Sequence, residues 1–502
     1  MENMKFGWAE IDLTPDKKVS LLGQFSERIS EYVEKPITAT AMAVKCDKEQ
    51  MILVSCDLAI VPWNLLTAVR ARLENNEVGI DPLKIIICAI HTHTGPTFTE
   101  SRRTNLPHKT VDLVKLFLPP DKKYIERVSL AANNPEVITP QEMLELLVDR
   151  ITKVTLEAWA NLKDGSFVNA FGRAAVGLCR RVVYNDGSAK MWGDSNTESF
   201  SHIEGGSDTG IELMYVFNEK NELSGIVANL ACPAQCVQHR NFISPDFWGE
   251  VKLLLRKHFG EKIFLLPLLS AAGDQCPVDL VRWVEPESDL DDPNIIRTNP
   301  LKRKADPSMF DLSGMKKIGR RIAREIIDVY EDGLDTPEEA PKFKHIVHTM
   351  QLPVRRVSQA EADAAKKAIQ EFMRNKEGDV DFLDAANLQV YVGVLRRLDF
   401  QELVKVLDTE THMVRMGNIA IATNPFELFL DYGNQIKARS RAEQTFLVEL
   451  ANGWDGYLPT EKAEKGGHYS AFVSSGQVGH IGGEQLVEET LEIINTQLFT
   501  DL

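Results

Sequence analysis

Basic residues are in short supply: 57 Lys and Arg stand against 73 Asp and Glu, a formal net charge of −16 over 502 residues. Without a cationic surplus to displace counterions, nucleic acid is excluded as a partner and anionic membrane surfaces are disfavoured. Long apolar runs are missing too. None reaches the roughly 18 residues that span a bilayer, so no transmembrane segment is expected. The opening MENMKFGWAEIDLTPDKK has no basic segment leading into an apolar one, so the expected location is cytoplasmic. Cysteines are few and scattered (Cys46, Cys56, Cys88, Cys179, Cys232, Cys236, Cys276), odd in number and without a CxxC pair. Neither a disulfide framework nor a zinc ribbon fits, and reduced thiols are expected.

What remains is ordinary for a globular chain, 43% hydrophobic and 26% charged, and long enough for a large core. Short β-branched runs recur: ITATAMAV, MILVSCDLAIV, KIIICAI, GIELMYVF, SGIVANLA, KIFLLPLLS, MGNIAIATN and TFLVEL. Between many of them lie helical patterns such as PWNLLTAVRARLENN, QEMLELLVDRITKVTLEAWANL, SPDFWGEVKLLLRKHFG and LSGMKKIGRRIAREIIDVYEDG. This alternation predicts an α/β protein, multilayer sheets flanked by helices. Ser244 as N-cap with Pro245 at the first position predicts one helix start. Two stretches break the pattern: a polar surface loop at about 284–308 and a helical hairpin inserted at about 356–408.

The chemistry begins at ICAIHTHTGP, where an apolar strand runs into His91 and His93. If the strand continues, alternation puts both imidazoles on one face, which suggests a metal. AAGDQCPVD places Cys276 at a strand-to-loop turn beside Gly273, a geometry suited to a nucleophile, although an inert buried thiol also fits. IAIATNPFELF puts Glu427 at a helix start, and NGWDGYLPTEKAEKGGHYS carries Tyr457, His468 and Tyr469 in a glycine-rich loop.

In this order the stretches resemble the neutral/alkaline (non-lysosomal) ceramidase family in its N-terminal catalytic region. HTHTGP stands where that family has HTHS/TGP, AAGDQCPVD where it has GDxSPN, NPFELF at its PGE segment, and ISPDFWGE at its ISADYPG segment. NGWDGYLPT with the later Tyr469 stands at its tyrosine-rich run. The resemblance implies a single ceramidase-like catalytic domain over 1–502; the additional C-terminal β domain that the family carries is not expected here. It implies a zinc-dependent hydrolase that cleaves an amide bond, with His91, Glu427 and Tyr457 as zinc ligands and His93 as hydrogen-bond partner or proton shuttle. Tyr469 and backbone amides after Gly273 would stabilise an oxyanion, and Cys276 and Asp274 would join the catalytic group. Arg180, Gly273 and Gln275 would bind substrate, with Arg181 an alternative to Arg180.

Departures are visible. The family carries a further zinc histidine where this chain reads LACPAQCVQHRNF. His239 is the first candidate to replace it, with Cys232, Cys236, Cys276 and Gln235 also open, as is a site without zinc. Cys276 stands where the family has serine. A small or polar substrate is expected rather than ceramide itself, and a homo-oligomer stays open. Two rival readings remain: cleavage of a glycosidic or ester bond by Glu204, Asp208 or Glu427 as acid and base, and a non-catalytic binding protein. His202, near the first two acids, belongs to the same polar cluster.

Overall fold

The computed structural model describes residues 3–74, 78–98, 110–284, 304–306, 309–337 and 341–501. Each of the eight apolar runs lies on a strand, and each of the four helical patterns on a helix. The expected surface loop at about 284–308 falls almost entirely outside the described residues.

Three sheets share one apolar core. The first is five-stranded, ordered Ile85–Ala89, Glu49–Cys56, Thr38–Cys46, Lys5–Asp12 and Lys163–Asp164. The second is four-stranded, ordered Phe264–Leu269, Leu223–Leu230, Gly210–Phe217 and Ser166–Arg173. The third, also four-stranded, runs Phe343–Pro353, Val406–Met416, Ile419–Thr423 and Gln444–Val448. Trp8, Leu53, Ile86, Val227, Leu266, Val414 and Phe446 meet in the cluster between them. Helices cover the outer faces. Trp63–Leu73 and Pro140–Ala160 pack on the first sheet, Phe247–Phe259 and Asp311–Glu331 on the second, Leu430–Arg439 and His480–Ile493 on the third. Strands covered on both faces must be apolar along their length, and Ile85–Ala89 is buried at every residue.

Each sheet contains one parallel pair: Glu49–Cys56 with Ile85–Ala89, Leu223–Leu230 with Phe264–Leu269, Ile419–Thr423 with Gln444–Val448. The loops that leave the C-terminal ends of these strands gather the residues singled out above, the usual place for a site in such sheets.

Two local expectations change. The strand stops at Ala89, and His91 adopts a left-handed φ of 63°, so alternation along a strand is not what brings His91 and His93 together. The helix expected to start at Ser244 and Pro245 is capped instead by Asp246, whose carboxylate accepts from Phe247 N at 2.6 Å. Ser244 Oγ accepts from Asp246 N at 3.0 Å and holds the turn before it. The expected hairpin consists of the helices Gln359–Asn375 and Phe382–Phe400, each opened by a reciprocal capping box.

A buried polar network ties the first and third sheets together. Glu410 accepts two bonds of 2.8 Å from Arg70 and one from Asn452 at 3.1 Å, and lies 3.0 Å from His412 Nε2. Burial opposes ionisation of this carboxyl, but His412 and Arg70 outweigh it and hold the pKa down to about 2. A pKa lowered in the folded state gives stability that is full above the ordinary carboxylate range and lost as pH falls through the folded value. Glu410→Gln is therefore expected to be less stable than the parent at neutral pH and to converge with it between roughly pH 5 and pH 2. Urea midpoints across that window check this; a constant gap would contradict it.

Candidate functional site

Six chain segments converge on a cavity of about 290 Å³ whose lining includes His91, His93, Glu427, Trp454, Tyr457 and Tyr469. Glu427–Leu428 and Tyr457–Leu458 pair as a short parallel ladder, which fixes carboxylate and phenol side by side. Glu449, not singled out by any motif, braces the same loops: its Oε2 accepts from Ala272 N at 3.0 Å and Leu428 N at 2.8 Å. Burial raises its pKa well above the ordinary carboxyl range.

The hydrogen bonds assign most of the protons. His91 Nδ1 lies 2.6 Å from Ala59 O and must donate to it, which turns Nε2 toward the cavity. Arg180 Nη1 donates to Gln235 Oε1 at 3.2 Å, so the amide nitrogen of Gln235 faces His93 and donates to its Nε2 at 3.0 Å. The two Nε2 atoms are 3.3 Å apart, and Glu427 Oε2 is 3.5 Å from that of His91. Two imidazole nitrogens and a carboxylate oxygen facing one another require a positive charge among them: a proton on His91 Nε2, or a metal ion in its place. Burial, with His91 beside it, pushes the His93 pKa well below the usual histidine value. Burial works against ionisation of Glu427, yet His91, Tyr457 and Trp454 together lower its pKa. For Tyr457 burial and then the charge of Glu427 raise the phenol's pKa strongly.

Zinc accepts imidazole, carboxylate and phenolate oxygen, and His91, Glu427 and Tyr457 offer one of each around the same space. Among the described residues no group of three or more His, Cys, Asp or Glu side chains forms a metal cage. The fit to zinc thus depends on the Tyr457 phenol as third donor. His239 does not reach this centre: its ring stacks on Phe310 at 5.2 Å and its Nε2 is 3.5 Å from Asp311. Gln235 and Gln238, both buried, are the members of that loop whose side chains reach His93. Cys232 and Cys236 are buried in the apolar cluster of the second sheet.

The other expected residues stand behind the cavity wall. Arg180 is buried, and its Nη2 donates to Gly273 O at 3.0 Å and approaches the Tyr457 hydroxyl at 3.5 Å. It orients Gln235 and Tyr457 and does not line the cavity. The Gly273 amide donates to Leu428 O at 2.8 Å and that of Gln275 to Ala272 O at 2.9 Å, so neither is available to an oxyanion. A Cβ on Gly273 would lie 2.3 Å from Glu427 O; glycine here permits the close approach of the two loops. Asp274 Oδ1 accepts from Leu430 N at 2.9 Å and caps the Leu430–Arg439 helix from outside it. Gln275 Nε2 donates to Gly206 O and to Asp274 Oδ1.

Cys276 is fully buried among Val182, Val278, Leu280 and Phe310, with its thiol on Val278 O at 3.3 Å. Burial pushes its pKa up to about 12, which leaves almost no thiolate at neutral pH. Cys276→Ala is expected to keep its rate within about tenfold, since no reacting group is removed. A loss of about 10³-fold in kcat would show that the thiol reacts.

Gly23 was not legible from any motif. It has φ +105°, and a Cβ there would lie 2.3 Å from His93 Cγ, so the residue is the floor on which the His93 ring rests. Gly23→Ala is expected to displace that ring and to lower kcat/KM by about 100-fold; an unchanged value would contradict this.

No family model matches the sequence, and no curated protein matches it. The fold has solved counterparts. The chain is similar to the crystal structure of neutral ceramidase from Pseudomonas aeruginosa, with a TM-score of 0.67 and 15% identity over 100% of this chain and 75% of that one. It is equally similar to a ceramidase complexed with C2, with a TM-score of 0.67 and 15% identity over 100% of this chain and 76% of that one. The architecture is therefore a neutral ceramidase-like fold. Among the described residues no helix is long and apolar enough to cross a membrane.

Proposed function

We propose that the chain is a zinc-dependent hydrolase that cleaves an amide bond in a small or polar substrate, as one catalytic domain working in the cytoplasm. The observation that carries this reading is the meeting of His91, His93, Glu427 and Tyr457 in one cavity, and the ceramidase-like fold supports it. His91, Glu427 and Tyr457 would hold the metal. When bound, zinc supplies an activated water and polarises the carbonyl.

The chain's own groups do the rest. Ala59 O fixes the His91 ring, and Trp454 Nε1 donates to Glu427 Oε1 at 3.2 Å, which turns Oε2 to His91. His93, oriented by the Gln235 amide that donates to its Nε2 at 3.0 Å, stands beside His91 as its hydrogen-bond partner, their Nε2 atoms 3.3 Å apart. Tyr469 packs on Tyr457 with ring centroids 5.5 Å apart and closes one wall against water.

Carboxylate catalysis of a glycosidic or ester bond has less support. Glu204 is tied to Arg181 at 2.7 Å, and Asp208 to Lys437 at 3.0 Å; neither lines the cavity. Assay of a panel of N-acyl amides before and after chelation tests the proposal. Hydrolysis that disappears with chelator and returns with zinc is expected; turnover indifferent to chelation would contradict it.

A further inference from the structure

Next to the first cavity lies a second of about 530 Å³, and Phe25 and Tyr469 line both. Their rings meet edge to face at 5.4 Å, so this aromatic pair is the partition between two halves of one depression. The far wall is the Phe382–Phe400 helix of the insertion, through Leu383, Asn387 and Val390. A volume of this size falls in the range of small-molecule sites.

The helix is clamped to the loop that carries the site. Arg397 donates to Gln477 O at 2.8 Å, Gly476 O at 2.9 Å and Arg355 O at 2.8 Å. Gly393 lets it sit so close that a Cβ there would lie 2.4 Å from Ser474 Cβ. Ser475, which lines the second cavity, accepts through its carbonyl from Tyr457 N at 3.1 Å. The insertion is thus joined by backbone and side-chain bonds to the proposed metal ligand Tyr457.

The lining chemistry is selective. Among the described residues, no Asp, Glu, Lys or Arg lines this cavity, in a chain where 26% of residues are charged. The imidazole in the lining, His468, accepts from Met191 N at its Nδ1 (3.1 Å), so it is neutral with a donor at Nε2. Burial, with Arg181 and Lys190 nearby, lowers its pKa to about 4. Three aromatic rings, Phe25, Tyr469 and Phe472, stand with the amides of Asn387 and Gln389 and the hydroxyls of Ser474 and Ser475. A charged group would find no counterion among the described lining residues. A plain hydrocarbon chain would strip water from the amides and hydroxyls and pair none of them.

We propose that this second cavity is the specificity half of the site and takes a neutral, polyhydroxylated ring joined to the scissile amide, as in an N-acylated amino sugar. The ring's apolar face packs on the aromatics while its hydroxyls pair with the amides and serines. This assignment rests on the amide-hydrolase reading above, but its binding part is testable apart from it.

The probe is methyl 2-acetamido-2-deoxy-β-D-glucopyranoside, titrated calorimetrically into the full chain, with methyl 2-amino-2-deoxy-β-D-glucopyranoside and sodium octanoate as charged comparators. The acetamido glycoside is expected to bind at least tenfold more tightly than either comparator. Leu383→Glu, at a position 67% exposed in the structure, and Val390→Glu are each expected to weaken it tenfold or more. Thermal melts of both variants establish that they fold. Preference for octanoate, no binding of the glycoside, or folded variants that bind it as the parent does would each overturn the proposal. If the glycoside binds in a variant-sensitive way but zinc-loaded protein releases no acetate, the subsite stands and the hydrolase reading fails. Acetate released at rates indifferent to both variants would sink the subsite alone.

Discussion

Glu427→Gln is expected to lower amide hydrolysis by about 10³-fold while the protein keeps its fold. Glutamine has the same shape and can still accept from Trp454 Nε1 through its Oε1, so the parallel ladder with Tyr457 has no reason to break. What disappears is the one anionic donor facing His91, and with it a third of the set expected to hold the metal. Steady-state kinetics on zinc-supplemented protein, with a thermal melt alongside, checks both halves. A rate within tenfold of the parent would remove Glu427 from the reaction.

The largest effect on stability is expected at Arg181→Ala, a loss of about 3–5 kcal/mol. Arg181 is fully buried, and its fork pairs with Glu204 at 2.7 and 2.9 Å. The remaining protons reach Gly467 O at 2.9 Å, Ala463 O and Tyr469 O at 3.2 Å, and Ser470 Oγ at 3.3 Å. Truncation leaves the Glu204 carboxylate, 4% exposed, without a counter-charge, and several carbonyls without donors. Lysine cannot rescue this, because one ammonium cannot reproduce a planar fork. Glu204→Gln in the same background is expected to recover part of the loss, because the stranded charge is then gone. Urea unfolding of the single and double variants measures the coupling; additive effects would contradict it.

The sheets were legible where strands are apolar on both faces, as in Ile85–Ala89 and Phe264–Leu269. The two longest strands, Phe343–Pro353 and Val406–Met416, were not. Their buried positions include His345 and His412, held by the network around Glu410, and Thr409 and Thr411, whose hydroxyls donate to Leu407 O and His348 O. A search for apolar runs passes over strands whose buried face is hydrogen-bonded rather than oily.

The site divides in the same way. His91, Glu427 and Tyr457 could be read from short motifs that end strands, and the cavity contains all three. His239 was favoured over Gln235 because imidazole is the better ligand type. The choice between them lies in the tertiary structure: Arg180, 55 positions away, orients the Gln235 amide, while Asp311 and Phe310 occupy His239. The glycine-rich turn after Phe264–Leu269 suggests an oxyanion hole; two of its amides, those of Gly273 and Gln275, are bonded to Leu428 O and Ala272 O. A glycine required for close packing and one that exposes a donor look alike until the partner strand is in place.

The most direct measurement is metal content of the purified protein by elemental analysis, with His91→Ala prepared in parallel. About one zinc per chain in the parent and its loss in the variant is the expected result. Little or no metal in both proteins, under conditions where the parent hydrolyses an amide, would contradict a zinc-dependent reaction at His91, Glu427 and Tyr457.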